Sequence, residues 1–210
     1  MTVLFSFVVL LFIASAAVQA KASDPYQLIE KVANNTFNRI AADREHIARD
    51  ANHLKIIVAE ELMPYIDHRY ASRIILYKTK VTKAQKKAFY KAFRQYLITT
   101  YATIFAKYSD QQVVFSPGKP FADRKKVVVK TKLVSDGIPD INIDFKVRKI
   151  KKSGQWKAYD LRAMGVSLLD SKKAELARLL RKEGGVDTVT ALLNEKAQSN
   201  IVIAAQVGRL

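Results

Sequence analysis

Ile141–Arg148 reads INIDFKVR, and its side chains sort by position: Ile141, Ile143, Phe145 and Val147 to one side, Asn142, Asp144, Lys146 and Arg148 to the other. Alternation of period two marks a strand with one buried and one wet face, which is how antiparallel sheets are built. Upstream, VVVKTKLV (Val127–Val134) alternates apolar with basic over much of its length, and Gln111–Ser116 reads as a further strand. Downstream, Trp156 to about Leu161 completes a four-stranded meander. Asp136-Gly137 and Ser153-Gly154 separate the runs as hairpin loops do.

On either side of this block the period lengthens to that of a helix. Asp24-Pro25 offers a cap and a first-turn proline, and Leu28, Ile29, Val32, Phe37 and Ile40 follow at helical spacing. A second helix from about Asn52 carries Leu54, Ile57, Val58 and Leu62 and stops at Pro64; a third spans about Asp67 to Tyr77. Thr82–Gln85 (TKAQ) is a capping box, so a long helix to about Lys107 begins there. After Gly165, a helix with Leu168, Leu169, Leu176, Leu179 and Leu180 ends at Gly184-Gly185. Asp187 is expected to cap a last helix carrying Val189, Leu192 and Leu193, and the tail from Ser199 has no assignable pattern. Helices, a meander, then helices again specify an α+β fold with helices packed on one face of a four-stranded antiparallel sheet.

The long helix has two halves of different physics. In the first, Lys83, Lys87, Lys91 and Arg94 line one side while Phe89, Ala92, Phe93 and Tyr96 occupy the other. Like charges at that spacing repel mildly, which an anionic partner would relieve. The second half, Tyr96–Ala106, carries no charge at all. An all-apolar helix needs apolar neighbours on more than one side, either a thicker solid core or the wall of a cleft between helix and sheet.

Residues 1–20, MTVLFSFVVLLFIASAAVQA, are uncharged and pass from a bulky apolar run into small residues. This shape fits a secretory signal peptide cleaved after Ala20, with a retained membrane anchor as the competing reading, since the basic start is missing. Residues 21–210 then form one domain, large enough to be stable without the disulfides that the absence of cysteine rules out. The missing cysteine also excludes thiol nucleophiles and thiolate metal sites. The net charge of +17 favours an anionic partner, of which nucleic acid is the least available to an exported protein. KKAFYKAFRQY (Lys86–Tyr96) mixes aromatic and basic residues, but helical spacing puts Phe89 and Phe93 opposite the lysines, so they cannot stack bases beside them.

One stretch suggests catalysis. MPYIDHRYAS (Met63–Ser72) holds Asp67, His68 and Ser72, the side chains of a hydrolytic triad. On a helix, however, neighbours diverge by about 100 degrees, so Asp67 cannot orient His68, and no glycine turn supplies an oxyanion hole. Asp67 is expected to be a helix cap after the proline break, and no catalytic residue is assigned. His46 and His53 are read as surface residues without metal-ligand spacing, so no metal site is assigned either.

Three runs carry a resemblance: ELMPYIDHRYASRIIL (Glu61–Leu76), TKAQKKAFYKAFRQYLITTYATIFAKY (Thr82–Tyr108) and GQWKAYDLRAMGVSLLDS (Gly154–Ser171). In order and spacing the chain resembles the MlaC family, also called toluene-tolerance auxiliary proteins, over essentially the whole mature length. The resemblance implies helices around a twisted four-stranded sheet enclosing an apolar cavity for phospholipid acyl chains. It implies a periplasmic, non-enzymatic carrier of Gram-negative bacteria, with phospholipid as cargo and no cofactor. Its implied partners are an outer-membrane lipoprotein–porin complex and an inner-membrane ABC transporter with MCE-type domains, between which a monomer shuttles lipid to maintain outer-membrane asymmetry. Carried onto this chain, the expected lipid-binding residues are Leu62, Tyr65, Tyr70 and Ile74; Leu97, Tyr101 and Phe105; Phe145 and Val147; and Val166 and Leu168. Lys83, Lys87, Lys91 and Arg94 are the expected docking or headgroup-facing surface, and Gly165 an expected hinge. The competing reading is an exported basic adaptor that binds an anionic protein or membrane surface without a lipid cavity.

Overall fold

Asp24 accepts hydrogen bonds from the backbone N–H groups of Tyr26 and Gln27 and so starts α1 (Pro25–Ala42) where the capping residues require. The computed structural model describes residues 24–107, 112–135 and 138–203; the expected signal segment, Gln111 and the Asp136-Gly137 turn lie outside them. A short α2 (Arg44–Arg49), which the periodicity does not distinguish, precedes α3 (His53–Ile57). The chain then loosens into a π-helical turn (Val58–Leu62) and tightens into a 3-10 turn (Met63–Tyr65). Pro64 therefore ends the second expected helix through a graded change of pitch.

Asp67 caps α4 (His68–Ile75), accepting from the Tyr70 N–H at 3.0 Å. The helix stops short of Tyr77, and Lys78 turns the chain with a φ of 65°. The capping box then opens α5 (Lys83–Phe105): the Gln85 N–H donates to Thr82 Oγ1 at 3.1 Å and the Thr82 N–H to Gln85 Oε1 at 3.0 Å.

The strands are β1 (Gln112–Phe115), β2 (Lys126–Ser135), β3 (Ile138–Lys149), β4 (Trp156–Ala163) and β5 (Val166–Ser167). They lie in chain order as an antiparallel five-stranded sheet. The four expected strands are present, and the fifth is two residues folded back onto β4 by a tight turn at Met164-Gly165 (φ 48° and 82°). Two residues are too few for periodicity to reveal. The expected Ser153-Gly154 turn forms, with Gly154 at a φ of 71°. The β3–β4 register is irregular at one point: Val147 lies opposite Ala158 but Lys146 opposite Asp160, so Tyr159 is an extra residue, a bulge on β4.

Three apolar clusters hold the layers together. Val127, Val129, Val147 and Trp156 on the sheet pack against Ile29 of α1. Ile98 and Ala102 of α5 pack against Leu54 and Ile57 of α3. Phe89 and Phe93, from the other half of α5, pack against α4, α6 (Leu168–Leu180) and α7 (Gly185–Gln198). The aromatics and the lysines of α5 are therefore segregated as the spacing predicts. Its second half is not surrounded completely, because Ile104 is 42% exposed.

Two C-terminal expectations need correction, the first being the end of α6, which stops at Leu180 with Arg181 as its C-cap and not at Gly184-Gly185. Gly184, at a φ of 67°, rather than Asp187, is the residue that precedes α7; Asp187 lies in the first turn and accepts from Gln85 Nε2 at 2.8 Å. A Cβ at Gly185 would sit 2.1 Å from the Leu179 carbonyl oxygen, so the close approach of α6 and α7 demands glycine there. The tail, which has no pattern in the sequence, docks: Ile201 is buried, and its N–H donates to Asn52 Oδ1 at 3.2 Å. Among the described residues, no helix is long and apolar enough to cross a membrane.

Candidate functional site: two adjoining apolar cavities

Alternation on β2 and β3 sends Thr131, Leu133, Ile143 and Phe145 to one sheet face, and Leu161 joins them from β4. These side chains do not meet α1 and α5 in solid packing but enclose a cavity of about 140 Å³. Its opposite wall is Val32, Thr36 and Phe37 of α1, Leu62 and Tyr65 from the π and 3-10 turns, and Tyr101 and Phe105 of α5. Phe37 and Phe105 meet edge to face, ring centroids 5.8 Å apart. The uncharged half of α5 is explained by this wall: Ile98 and Ala102 face the core while Tyr101 and Phe105 face the cavity.

The threonine hydroxyls here are already satisfied. Thr36 Oγ1 donates to the Val32 carbonyl at 2.7 Å, and Thr131 Oγ1 to the Ile143 carbonyl at 2.8 Å, so neither needs a partner from the cavity. The Tyr101 phenol is pushed up to about 12 by burial and, less strongly, by the neighbouring Asp160 carboxylate; it is neutral at any physiological pH.

A second cavity of about 260 Å³ lies between α5 and α6, lined by Phe93, Tyr96 and Leu97 on one side and Leu168, Leu169 and Lys172 on the other. Ile66, Tyr101, Tyr159, Asp160 and Leu161 line both cavities and form their shared wall. The Asp160 side chain is 1% exposed and fully engaged. It pairs with Lys146 Nζ at 2.7 Å and accepts from Ser167 Oγ at 2.7 Å and from the Leu169 N–H at 3.1 Å. The carboxylate thus fixes β5 and the start of α6 to β4 without offering an open acceptor to a ligand.

Of the residues expected at the site, Leu62, Tyr65, Tyr101, Phe105 and Phe145 line the first cavity, and Leu97, Tyr101 and Leu168 the second. Four lie outside both linings. Val147 is wholly buried against Val127, Val129 and Trp156, because it sits beyond the bulge where α1 closes on the sheet. Ile74 packs against the α4–α6–α7 cluster. Tyr70 stacks edge to face on Tyr159 at 5.1 Å, under the guanidinium of Arg148 at 4.3 Å. Val166 is 59% exposed on β5. Sequence reading missed Thr36, Thr131, Ile143 and Leu161; the threonines look like wet positions until their hydroxyls are seen turned back onto the backbone.

Lys83, Lys87 and Lys91 are exposed and Arg94 is half-buried; none of the four makes an ion pair among the described residues. The suspected triad does not assemble. Asp67 caps α4 and pairs with Arg148, and Ser72 is wholly buried with its hydroxyl unpartnered among the described residues. His68 is held below the usual histidine pKa, chiefly by burial and then by Arg94 and Arg69. His53 is a correction: it is buried, stacks on His46 with centroids 4.0 Å apart, and its Nε2 lies 2.7 Å from Asp43. That contact and Arg39 keep the Asp43 carboxyl below its ordinary range. No group of three or more potential metal ligands occurs among the described residues.

The MlaC protein family model matches residues 30–195, which include α5, the sheet and the whole lining of the second cavity. The chain belongs to the MlaC family. Within that family it is 30% identical over 202 residues to the intermembrane phospholipid transport system binding protein MlaC of Haemophilus influenzae, covering 95% of this chain and 94% of the relative. Its MlaC fold is matched by the structure of a phospholipid-binding protein from Ralstonia solanacearum in complex with a phospholipid. The TM-score is 0.73 at 23% identity, over 89% of this chain and 100% of that one. The α+β architecture with an antiparallel sheet is therefore the fold of a known structural neighbour.

Proposed function

We propose that this chain is a periplasmic phospholipid-binding and transfer protein, and that the two adjoining cavities receive the acyl chains. The carrying observation is the first cavity, walled by apolar side chains from four parts of the chain and by threonines whose hydroxyls are turned away. Membership of the MlaC family and the name of the Haemophilus relative support that reading. In it, residues 1–20 are an export signal and residues 21–210 are one carrier domain that acts as a monomer, without catalysis or cofactor. Lipid passes between an outer-membrane lipoprotein–porin complex and an inner-membrane ABC transporter bearing MCE-type domains. Lys83, Lys87, Lys91 and Arg94 form the docking surface.

Energetics require such a cavity. Two acyl chains hold about 30 methylenes, and at roughly 0.8 kcal/mol each their exposure to water would cost more than about 20 kcal/mol. A carrier must replace most of that burial before the lipid leaves a bilayer. Protein purified without detergent and extracted with organic solvent is expected to yield stoichiometric phospholipid by mass spectrometry. An extract with no phospholipid would sink the carrier reading and favour the basic adaptor.

A further inference from the structure

A groove of about 560 Å³ lies where the first half of β2 runs beside the β1–β2 connection. Its lining includes Lys119, Arg124, Lys126, Lys130 and Lys146, and no carboxylate among the described residues. Lys119, Arg124 and Lys130 are exposed and form no ion pair among the described residues. The Lys126 ammonium stands 5.5 Å and 5.7 Å from the ring centroids of Tyr70 and Tyr159, and the Tyr70 hydroxyl raises its pKa.

The fold tolerates this concentration of cations against a cost. Lys126 is directly opposite Arg148, which is directly opposite Lys157, and like charges in that relation destabilise a sheet. Asp67 offsets Arg148 alone among the three. An anion in the groove would offset Lys126. The groove also meets the apolar site: Tyr159 lines it and both cavities, and Lys146 in the groove is the partner of Asp160 on their shared wall. Lys126, Lys130 and Lys146 project from the sheet face opposite the first cavity, so it is from the second cavity, past Tyr159, that a molecule with an apolar part and an anionic end can place its charge among these cations. Lys83, Lys87 and Lys91 line neither cavity nor groove.

We propose that this groove is a phosphate-binding site that takes the phosphodiester of a lipid held in the second cavity. The proposal rests on the carrier reading for the source of the phosphate, and the test separates the two. Lipid-free protein is loaded with a phospholipid or with a diacylglycerol of the same chains, each from detergent-free vesicles, and bound lipid is counted by mass spectrometry. The wild type is expected to prefer the phospholipid by about tenfold, the scale of one charge-assisted hydrogen bond. The triple variant Lys119→Gln, Arg124→Gln, Lys130→Gln is expected to lose that preference while still loading diacylglycerol. A control, Lys151→Gln, Lys152→Gln, Lys182→Gln, removes equal charge from exposed positions away from the groove and is expected to keep it. In parallel, the phosphorus resonance of inorganic phosphate is followed as each lipid-free protein is added.

Equal preference in the wild type and the triple variant, with phosphate unaffected by either, overturns the site. Phosphate binding that depends on the three cations while lipid preference does not overturns the lipid as the source. If the wild type loads neither lipid but binds phosphate through the three cations, the carrier reading fails and the phosphate site stands.

Discussion

Phe145 and Val166 are apolar residues that both come from the sheet, yet the fold gives them opposite surroundings. Phe145 lines the first cavity, whereas Val166 stands 59% exposed beside the β4–β5 turn. A carboxylate introduced at Phe145 would have no partner among apolar walls, and an uncompensated buried charge costs several kcal/mol. Phe145→Glu is expected to reduce bound phospholipid at least about tenfold, while Val166→Glu leaves loading near the wild-type level. Mass spectrometry of the purified variants reads both. The reverse ordering would move the site from the sheet face to the turn. The family resemblance places both residues at the site, and in the sequence an apolar residue beside a turn looks no different from one in a wall. Only the exposure of β5 separates them.

Among the elements, α6 depends on a single buried carboxylate. Asp160 receives the Leu169 N–H from the first turn of α6 and the hydroxyl of Ser167, which itself caps that helix. Removing it leaves Lys146 half-buried and uncompensated and the start of the helix unsatisfied. Asp160→Ala is expected to cost about 3 kcal/mol in urea unfolding, the scale of a broken buried pair. Asp140→Ala, which breaks only the exposed contact to Lys132, is expected to cost under about 1 kcal/mol. Equal costs would show that Asp160 holds nothing together. This network was not legible in the sequence, since Asp160 sits in WKAYDLRA like any strand-face charge. The capping residues were legible because they act locally: Asp24, Asp67 and Thr82 each satisfy backbone groups within three residues. Long-range placement has no such marker. It explains why α5, the sheet and the Pro64 break follow from the sequence, while the docking of Ile201 and the burial of His53 do not.

For the molecule as a whole, the two cavities divide a space that a two-chain lipid would have to share. Their volumes of about 140 and 260 Å³ are each below the roughly 300–1,000 Å³ of pockets that hold drug-sized ligands. In the carrier reading, loading must displace the shared wall, with Tyr101 and Tyr159 as the side chains that move. A structure of the lipid-loaded protein is expected to contain one continuous cavity with both rings turned aside. Two cavities still separated, with lipid bound elsewhere, would remove the wall from the mechanism.

The bulge at Tyr159 gives that wall its chemistry. Before it, the even-numbered residues Trp156 and Ala158 share a side of β4 with Val147 and the core; after it, the odd-numbered Leu161 lies opposite Phe145. Without the inserted residue the even series would continue, carrying Asp160 and Arg162 onto the apolar side and Leu161 off it. One additional residue therefore acts as a parity switch. It resets the odd–even code of the strand halfway along, so that one eight-residue segment serves a dry interior at both ends while turning its carboxylate toward Lys146 and the start of α6.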